Sequence, residues 1–276
     1  MIDFPISDLK LIFTNMINFQ LLVDFIGHQF KAKTRHGVHS PFVYRLLDQV
    51  IYDFRGKMVY QEIEELRSTL LRDEQRITIT DYGAGSLVNN NKQRQVKDIA
   101  RNALKPARIA QLIYRLVEDL NPRNSIELGT CLGITTAYLA KAVPDTKIYS
   151  IEGCPMTAAI ASENLKKLHL TNVEVLVGNF DVVLPGLIEE LPEIDFVFID
   201  GNHTKKATLD YFNRLLTKLS PNSLIIFDDI YWSTEMKEAW QEIKSHSEVS
   251  VTIDLFRMGL AFVRRAQEKE DFYVRF

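Results

Sequence analysis

From residue 124 onward, short apolar runs alternate with longer stretches of helical period. The apolar runs predict strands at 124–128, 147–152, 173–177, 194–199 and 223–228. The stretches between them predict helices at 134–143, 155–168, 181–190 and 204–218. Strands separated by helices in this way pair in parallel, and helices then cover both faces of the sheet. After a last helix near 234–244, runs at 250–257 and 260–265 flank Met258-Gly259 and predict an antiparallel hairpin that closes the sheet. The expected fold is α/β: a doubly wound, seven-stranded, mostly parallel sheet whose last strand is antiparallel.

Residues 1–120 follow a different pattern, mainly helical. Leu11, Phe19, Leu22, Ile26 and Phe30 recur at roughly helical spacing. A basic loop, Lys31 to Phe42, places Ser40 and Pro41 as N-cap and first residue of a helix that runs to Tyr52. Further helices are predicted at 60–72, from Gln93 to Leu104 and from Pro106 to Leu120. The chain therefore divides into a helical region, 1–120, and an α/β domain, 121–276. The first is expected to serve as lid, substrate wall or homodimer contact. Leu9 to Phe30 carries Lys10, Asn15, Asn18, Gln20, Asp24 and His28, which is too polar for a membrane span and lacks the features of a signal peptide.

Candidate chemistry gathers at the predicted strand ends, where ligands bind in sheets of this kind. Ser125-Ile-Glu-Leu-Gly-Thr-Cys-Leu-Gly-Ile-Thr-Thr136 reads as strand, glycine turn and helix. Gly129 lets the chain leave the strand tightly and Gly133 lets backbone approach a ligand. The spacing is not that of a dinucleotide loop, and no Gly-Lys-Ser/Thr follows to hold a triphosphate. Glu127 would repel a pyrophosphate but suits a cationic amino-acid ligand. Glu152 closes the next strand, 25 residues on, where a carboxylate accepts both hydroxyls of a ribose. Gly178, Asn179 and Phe180 close the third strand: close approach, an adenine-edge hydrogen bond and ring packing, in that order. Asp200 and His203 end the fourth, and the adjacent acids Asp228 and Asp229 end the fifth. Ile77 to Ser86, with Asp-Tyr-Gly-Ala-Gly inside it, is a rival loop. No strand ending in an acid follows it at the required distance, so Asp81–Ser86 reads either as a lid or substrate wall or as a purely structural turn.

Glu-x-Gly-x-x-x-Gly-x-Thr resembles motif I of the class I S-adenosylmethionine-dependent methyltransferases. Residues 124–265 are most similar to the catechol and caffeoyl-CoA O-methyltransferase-like branch, through Ile-Glu-Leu-Gly-Thr (126–130), Ser-Ile-Glu (150–152), Phe-Ile-Asp-Gly (198–201) and Phe-Asp-Asp (227–229). The resemblance implies S-adenosylmethionine held by Glu127, Gly129, Thr130, Cys131, Gly133, Ile134, Thr135, Glu152, Gly153, Gly178, Asn179, Phe180 and Asp200. It implies a magnesium ion held by Asp200, Asp228 and Asp229, although Asp229 stands where the branch has asparagine. His203 stands where the branch has its catalytic lysine, and with Asp200 it is the candidate for taking the acceptor's proton. His39, Tyr82 and Trp232 are candidates for touching the acceptor. Residues 36–42 and 81–86 are similar to uncharacterised bacterial methyltransferases, for which the family names no substrate.

Bulk properties change this picture little. The 276 residues are 46% hydrophobic and 25% charged, enough for a sizeable core, and the net charge of −3 gives no overall attraction to nucleic acid or anionic lipid. Two cysteines, Cys131 and Cys154, argue against a disulfide framework and for the cytoplasm, and neither has the company a zinc site needs. One local exception is the basic run from Lys92 to Arg108, six cations against Asp98. It reads as a solvated helix face, but keeps an RNA or protein acceptor as the alternative to a small molecule. A non-catalytic cofactor-binding module is a third reading, disfavoured because Gly129 and Glu152 are both present.

Overall fold

The structure is a computed structural model that describes residues 19–80, 92–264 and 267–276, apart from the side chain of His36. The main sheet is built from β3 (Asn124–Leu128), β4 (Lys147–Glu152), β5 (Val173–Val177), β6 (Ile194–Ile199), β7 (Leu219–Asp228), β8 (Val251–Asp254), β9 (Met258–Val263) and β10 (Glu270–Tyr273). A small antiparallel pair, β1 (Arg76–Thr78) and β2 (Gln93–Gln95), precedes them. Helices α1 (Phe19–Lys31), α2 (Pro41–Leu46), α3 (Met58–Leu70), α4 (Val96–Ala103) and α5 (Ala107–Leu120) occupy the first part of the chain. In the second part α6 (Ile134–Ala142), α7 (Pro155–Lys167), α8 (Phe180–Glu190), α9 (Lys205–Leu216) and α10 (Thr234–Ser245) alternate with the strands.

Strand order in the main sheet is β10-β8-β9-β7-β6-β3-β4-β5, and β9 alone runs against its neighbours. The chain winds outward from β3 through β4 to β5, then returns to β6 on the other side of β3. That reversal places a switch point between β3 and β6, where the connections on either side diverge and leave a crevice. The register levels the strand ends around it: Leu128 pairs with Ile151 of β4 and with Ile199 of β6.

The parallel strands and their helices fall where the hydrophobic pattern put them. The sheet itself has eight strands rather than seven. β10 is four residues long and begins with two acids (Glu270, Asp271), so no apolar run announces it. It is held by parallel pairing with β8, which removes one exposed edge. The hairpin turn also differs: residues 255–257 make it, and Met258-Gly259 already belong to β9. Gly259 is a strand residue because the Trp240 ring fills the place of its side chain, 2.6 Å from where a Cβ would stand. Gln93 to Gln95, expected to be helical, pair with β1 instead and leave α4 to start at Val96.

The described residues before 121 are not packed apart from the sheet. Leu46, Leu47, Val50 and Ile51 join Leu112, Ile113 and Leu116 of α5 in one core with Phe196, Phe198, Leu224 and Ile226 of the sheet. Side chains of α3 and α4 (Ile63, Leu66, Ile99) share a second core with Leu132, Ile134 and Tyr138. The opposite sheet face is covered by α8, α9 and α10 through Leu184, Leu187, Tyr211, Phe212, Trp240 and Ile243. At the far edge, Asp254 is 1% exposed and accepts hydrogen bonds from Tyr231, Trp240 and the Phe256 amide, with His28 of α1 at 3.1 Å. This buried knot fixes α1 to the end of β8. These described helices therefore supply a covering layer for the sheet, and α4 reaches the switch-point crevice through Ile99 and Ala103.

Candidate active site

The crevice begins with a close approach between two strands. Gly129 leaves β3 at φ +107°, and a Cβ there would collide with the backbone carbonyl oxygen of Asp200. Asp200 in turn donates its amide to Leu128 at 2.8 Å. Only glycine permits both the left-handed turn and the contact. Gly133, at φ +80°, begins α6 and packs against Ala161 of α7, so that the helix starts immediately beyond the turn.

Glu127 lies beneath this turn and is fully buried. One carboxylate oxygen accepts from Thr136 at 2.5 Å and from Ser150 at 2.6 Å, tying β3 to α6 and to β4. Because the Ser150 proton is used there, Thr130 (2.5 Å away) donates to the Ser150 oxygen in turn. The other oxygen, Oε1, has no partner among the described residues. Burial raises the Glu127 pKa to about 7; the two hydroxyls oppose this, while the carboxylates of Asp200 and Glu152 add to it.

Glu152 ends β4 at the edge of the same crevice. Its two oxygens accept from the amides of Cys131, at 2.7 Å, and Cys154, at 2.9 Å, so the carboxylate braces both turns. Burial raises its pKa and these amides pull it down. A cavity of about 290 Å³ opens here, lined by Gly129, Cys131, Glu152, Gly153, Asn179, Phe180 and Asp200. Those seven were all expected as cofactor contacts. Asn179 caps α8 by accepting from the Asp181 amide at 2.9 Å. The Phe180 ring lies over Gly201 and meets Tyr211 edge-on.

The other expected contacts stand behind the wall. Ile134 is a core residue, Thr130 is turned to Ser150, and Gly178 packs on Val183. The structure adds wall residues that the sequence pattern did not reveal. Ile79 and Thr80 follow β1, Arg94 is in β2, and Ile99 and Ala103 are in α4. Cys154 and Thr157 belong to the turn after β4 and the start of α7.

At the ends of β6 and β7 the acids meet a lysine. Asp200, His203 and Asp228 offer ligand atoms that all lie within 4.8 Å of one another. The Lys105 ammonium is 3.0 Å from Asp200 Oδ1 and in contact with Asp228 Oδ2, with only 14% of its side chain exposed. Burial works against the lysine's charge, but Asp200, Asp228 and Asp229 outweigh it and hold its pKa well above the usual range. Burial and the Asp229 carboxylate push Asp228 upward, and the lysine opposes them. His203 Nε2 stands 3.7 Å from Asp200 and 4.0 Å from Asp229. Asp229, part-exposed and left-handed at φ +52°, is not among the three residues whose ligand atoms come together, so that group is Asp200, His203 and Asp228 instead of the three acids expected for a metal.

Two of the three acceptor candidates can be placed. Trp232 lies on the loop after Asp229, donating its amide to the Asp229 carbonyl, and is exposed. His39 does not come to the crevice. It is exposed beside Ser40, which is bonded to Gln267, and the helix that follows packs through Phe42 on Phe262. Gln267 is also bonded to Glu270, the first residue of β10, so this contact lies toward the amino ends of the parallel strands, away from the ends that carry the site. Tyr82 and the rest of Asp81–Ser86 fall outside the described residues.

Residues 126–230 match the sequence model of a methyltransferase domain family. Over those residues the chain is similar to methyltransferase domains. Within the curated relatives, the catechol O-methyltransferase of Niastella koreensis is 32% identical over 123 residues, covering 44% of this chain and 55% of that protein. The O-methyltransferase imqG of Aspergillus flavus is 36% identical over 114 residues, covering 39% of this chain and 45% of that one. The chain thus spans about half the length of these curated relatives. An O-methyltransferase from Bacillus cereus, solved in complex with SAH, aligns with a TM-score of 0.55 at 18% identity over 77% of this chain and 94% of that one. The SAH-bound methyltransferase PaMTH1 of Podospora anserina aligns with a TM-score of 0.56 at 14% identity, over 83% and 97%. These structures share the methyltransferase fold.

The raised pKa of Glu127 has a thermodynamic signature. A carboxyl whose pKa is higher in the folded chain stabilises the fold fully below the unfolded value and loses that contribution as pH rises through the folded one. The stability of the wild type relative to Glu127→Gln should therefore fall between pH 4.5 and about 7 and level off above, in urea unfolding across that range. A difference that stays flat would place the Glu127 carboxyl at an ordinary pKa.

Proposed function

We propose that this protein is an S-adenosylmethionine-dependent O-methyltransferase acting on a small or medium hydroxyl-bearing molecule. The observation that carries the reading is the register of Glu127 and Glu152. They sit on adjacent strands, on either side of the Gly129 turn, with Glu152 lining the switch-point cavity and Glu127 beneath its wall. The names of the curated relatives support the O-methyl specificity.

The cofactor fits on two counts. Glu152 can accept from ribose hydroxyls with its remaining lone pairs. The Gly129 turn has no side chain to block the floor. When bound, the cofactor supplies an electrophilic methyl group on a sulfonium. The protein's part is to align the acceptor with that group and to exclude water, and orientation alone can be worth ~7–11 kcal/mol of barrier. Phe180 and Tyr211 provide an apolar wall for this. His203, partly exposed and 3.7 Å from Asp200, which lines the cavity, is the residue to take the hydroxyl proton, with the Asp200 carboxylate stabilising the imidazolium that forms.

A divalent ion does not fit the acids as they stand. Magnesium requires about six oxygen ligands at ~2.0–2.1 Å, and the Lys105 ammonium already lies between Asp200 and Asp228. Two unit charges 4 Å apart repel by ~4 kcal/mol even at an effective dielectric of 20, and a divalent ion doubles that. The mechanism therefore uses no metal.

The basic run does not favour the RNA reading, because Lys97, Arg101, Lys105 and Arg108 all have partners within the chain. No helix among the described residues is long and apolar enough to cross a membrane. Two free cysteines are in keeping with a cytoplasmic protein.

Saturating S-adenosylhomocysteine should raise the melting temperature by on the order of 5–10 °C, and Glu152→Ala should remove most of that rise. An undiminished shift in the variant would take Glu152 off the ribose. With radiolabelled S-adenosylmethionine and a panel of phenolic acceptors, His203→Ala should lower kcat by ~10²–10⁴-fold while keeping its thermal shift. Unchanged turnover would remove the histidine from proton transfer.

A further inference from the structure

Lys105 belongs by sequence to the basic run and by position to the acids at the far end of the chain. It lies in the short linker between α4 and α5, flanked by Leu104 and Pro106 in extended conformation (ψ 133° and 143°). A proline at 106 keeps the preceding residue out of helical geometry, which breaks the helix there and frees the lysine from a surface face. The ammonium then reaches two carboxylates on neighbouring strands, Asp200 after β6 and Asp228 at the end of β7, the latter 3% exposed. A surface pair is worth little and is rarely buried. Here a cation shared by two acids is held within the same group of ligand atoms that could otherwise bind a metal.

We propose that Lys105 is a built-in cation: a positioning residue that takes the place of a divalent ion between Asp200 and Asp228, so that the wild-type chain binds no metal there and a metal site appears only when the lysine is removed. The positive charge lets the two strand ends stay close without repulsion and keeps Asp200, which lines the cavity and neighbours His203, in one position. The helical region thereby completes the active site of the α/β domain by contributing a charge. The proposed role in methyl transfer rests on the functional reading above, whereas the metal-binding consequence does not depend on it.

Mn²⁺ is the probe, titrated into the full chain and followed by loss of the free-ion paramagnetic resonance signal. The wild type should leave millimolar Mn²⁺ free, and chelator should not reduce its methyl transfer. Lys105→Ala should take up one Mn²⁺ per chain, and Lys105→Ala combined with Asp228→Asn should lose it. If Lys105→Ala does not fold alone, Mn²⁺ should restore its circular dichroism and melting transition. Stoichiometric Mn²⁺ binding by the wild type that Asp228→Asn abolishes would overturn the proposal. So would a folded Lys105→Ala that ignores Mn²⁺, or an unfolded one that Mn²⁺ does not rescue. The S-adenosylhomocysteine shift, measured on the same samples, reports separately on the cofactor site, and its absence would count against the methyltransferase reading without changing the metal result.

Discussion

The end of β6 lies directly against the turn that leaves β3, and this is possible only because residue 129 has no side chain. Much of the site follows from that contact. It fixes the backbone of Asp200, whose amide is bound to Leu128. Glu127 lies fully buried below the turn. A larger residue at 129 would have to move the strand end that carries Asp200, and with it the partner of Lys105 and His203.

Buried charge sets the second constraint. Five ionisable groups, Glu127, Glu152, Asp200, Asp228 and Lys105, lie in or under one small crevice, and their arrangement keeps repulsion in check. Glu127 is relieved by a raised pKa and two hydroxyl donors. Glu152 is relieved by two backbone amides. Asp200 and Asp228 share one ammonium. An uncompensated charge in such surroundings costs several kcal/mol, so the helical region that brings Lys105 belongs to the electrostatics of the site as well as to its walls.

Much of this was legible from residue order alone, for identifiable reasons. A parallel strand buried on both faces reads as a nearly continuous apolar run, so β6 was plain, while β3 and β4 showed as Ile, Leu and Tyr set between polar residues at regular intervals from it. Glycine at 129 and acids at 127 and 152 occur in a fixed register that local chemistry explains. What stayed hidden was decided by tertiary contact. β10 starts with charged residues and exists because β8 offers an edge. Gly259 looked like a turn residue, but it makes room for Trp240. Lys105 resembled its basic neighbours, and its only local mark was the proline that follows it. His39 was expected at the acceptor, yet Ser40 beside it is bonded to Gln267, which is bonded to the first residue of β10, and this ties the loop to the opposite end of the sheet.

The central claim is that the crevice between β3 and β6 is where the cofactor sits. Amide hydrogen exchange with and without S-adenosylhomocysteine tests it most directly. Protection should rise in the turns 129–134 and 152–154 and at the start of α8, around 178–180. Protection centred on 81–86, with those three turns unchanged, would contradict the account.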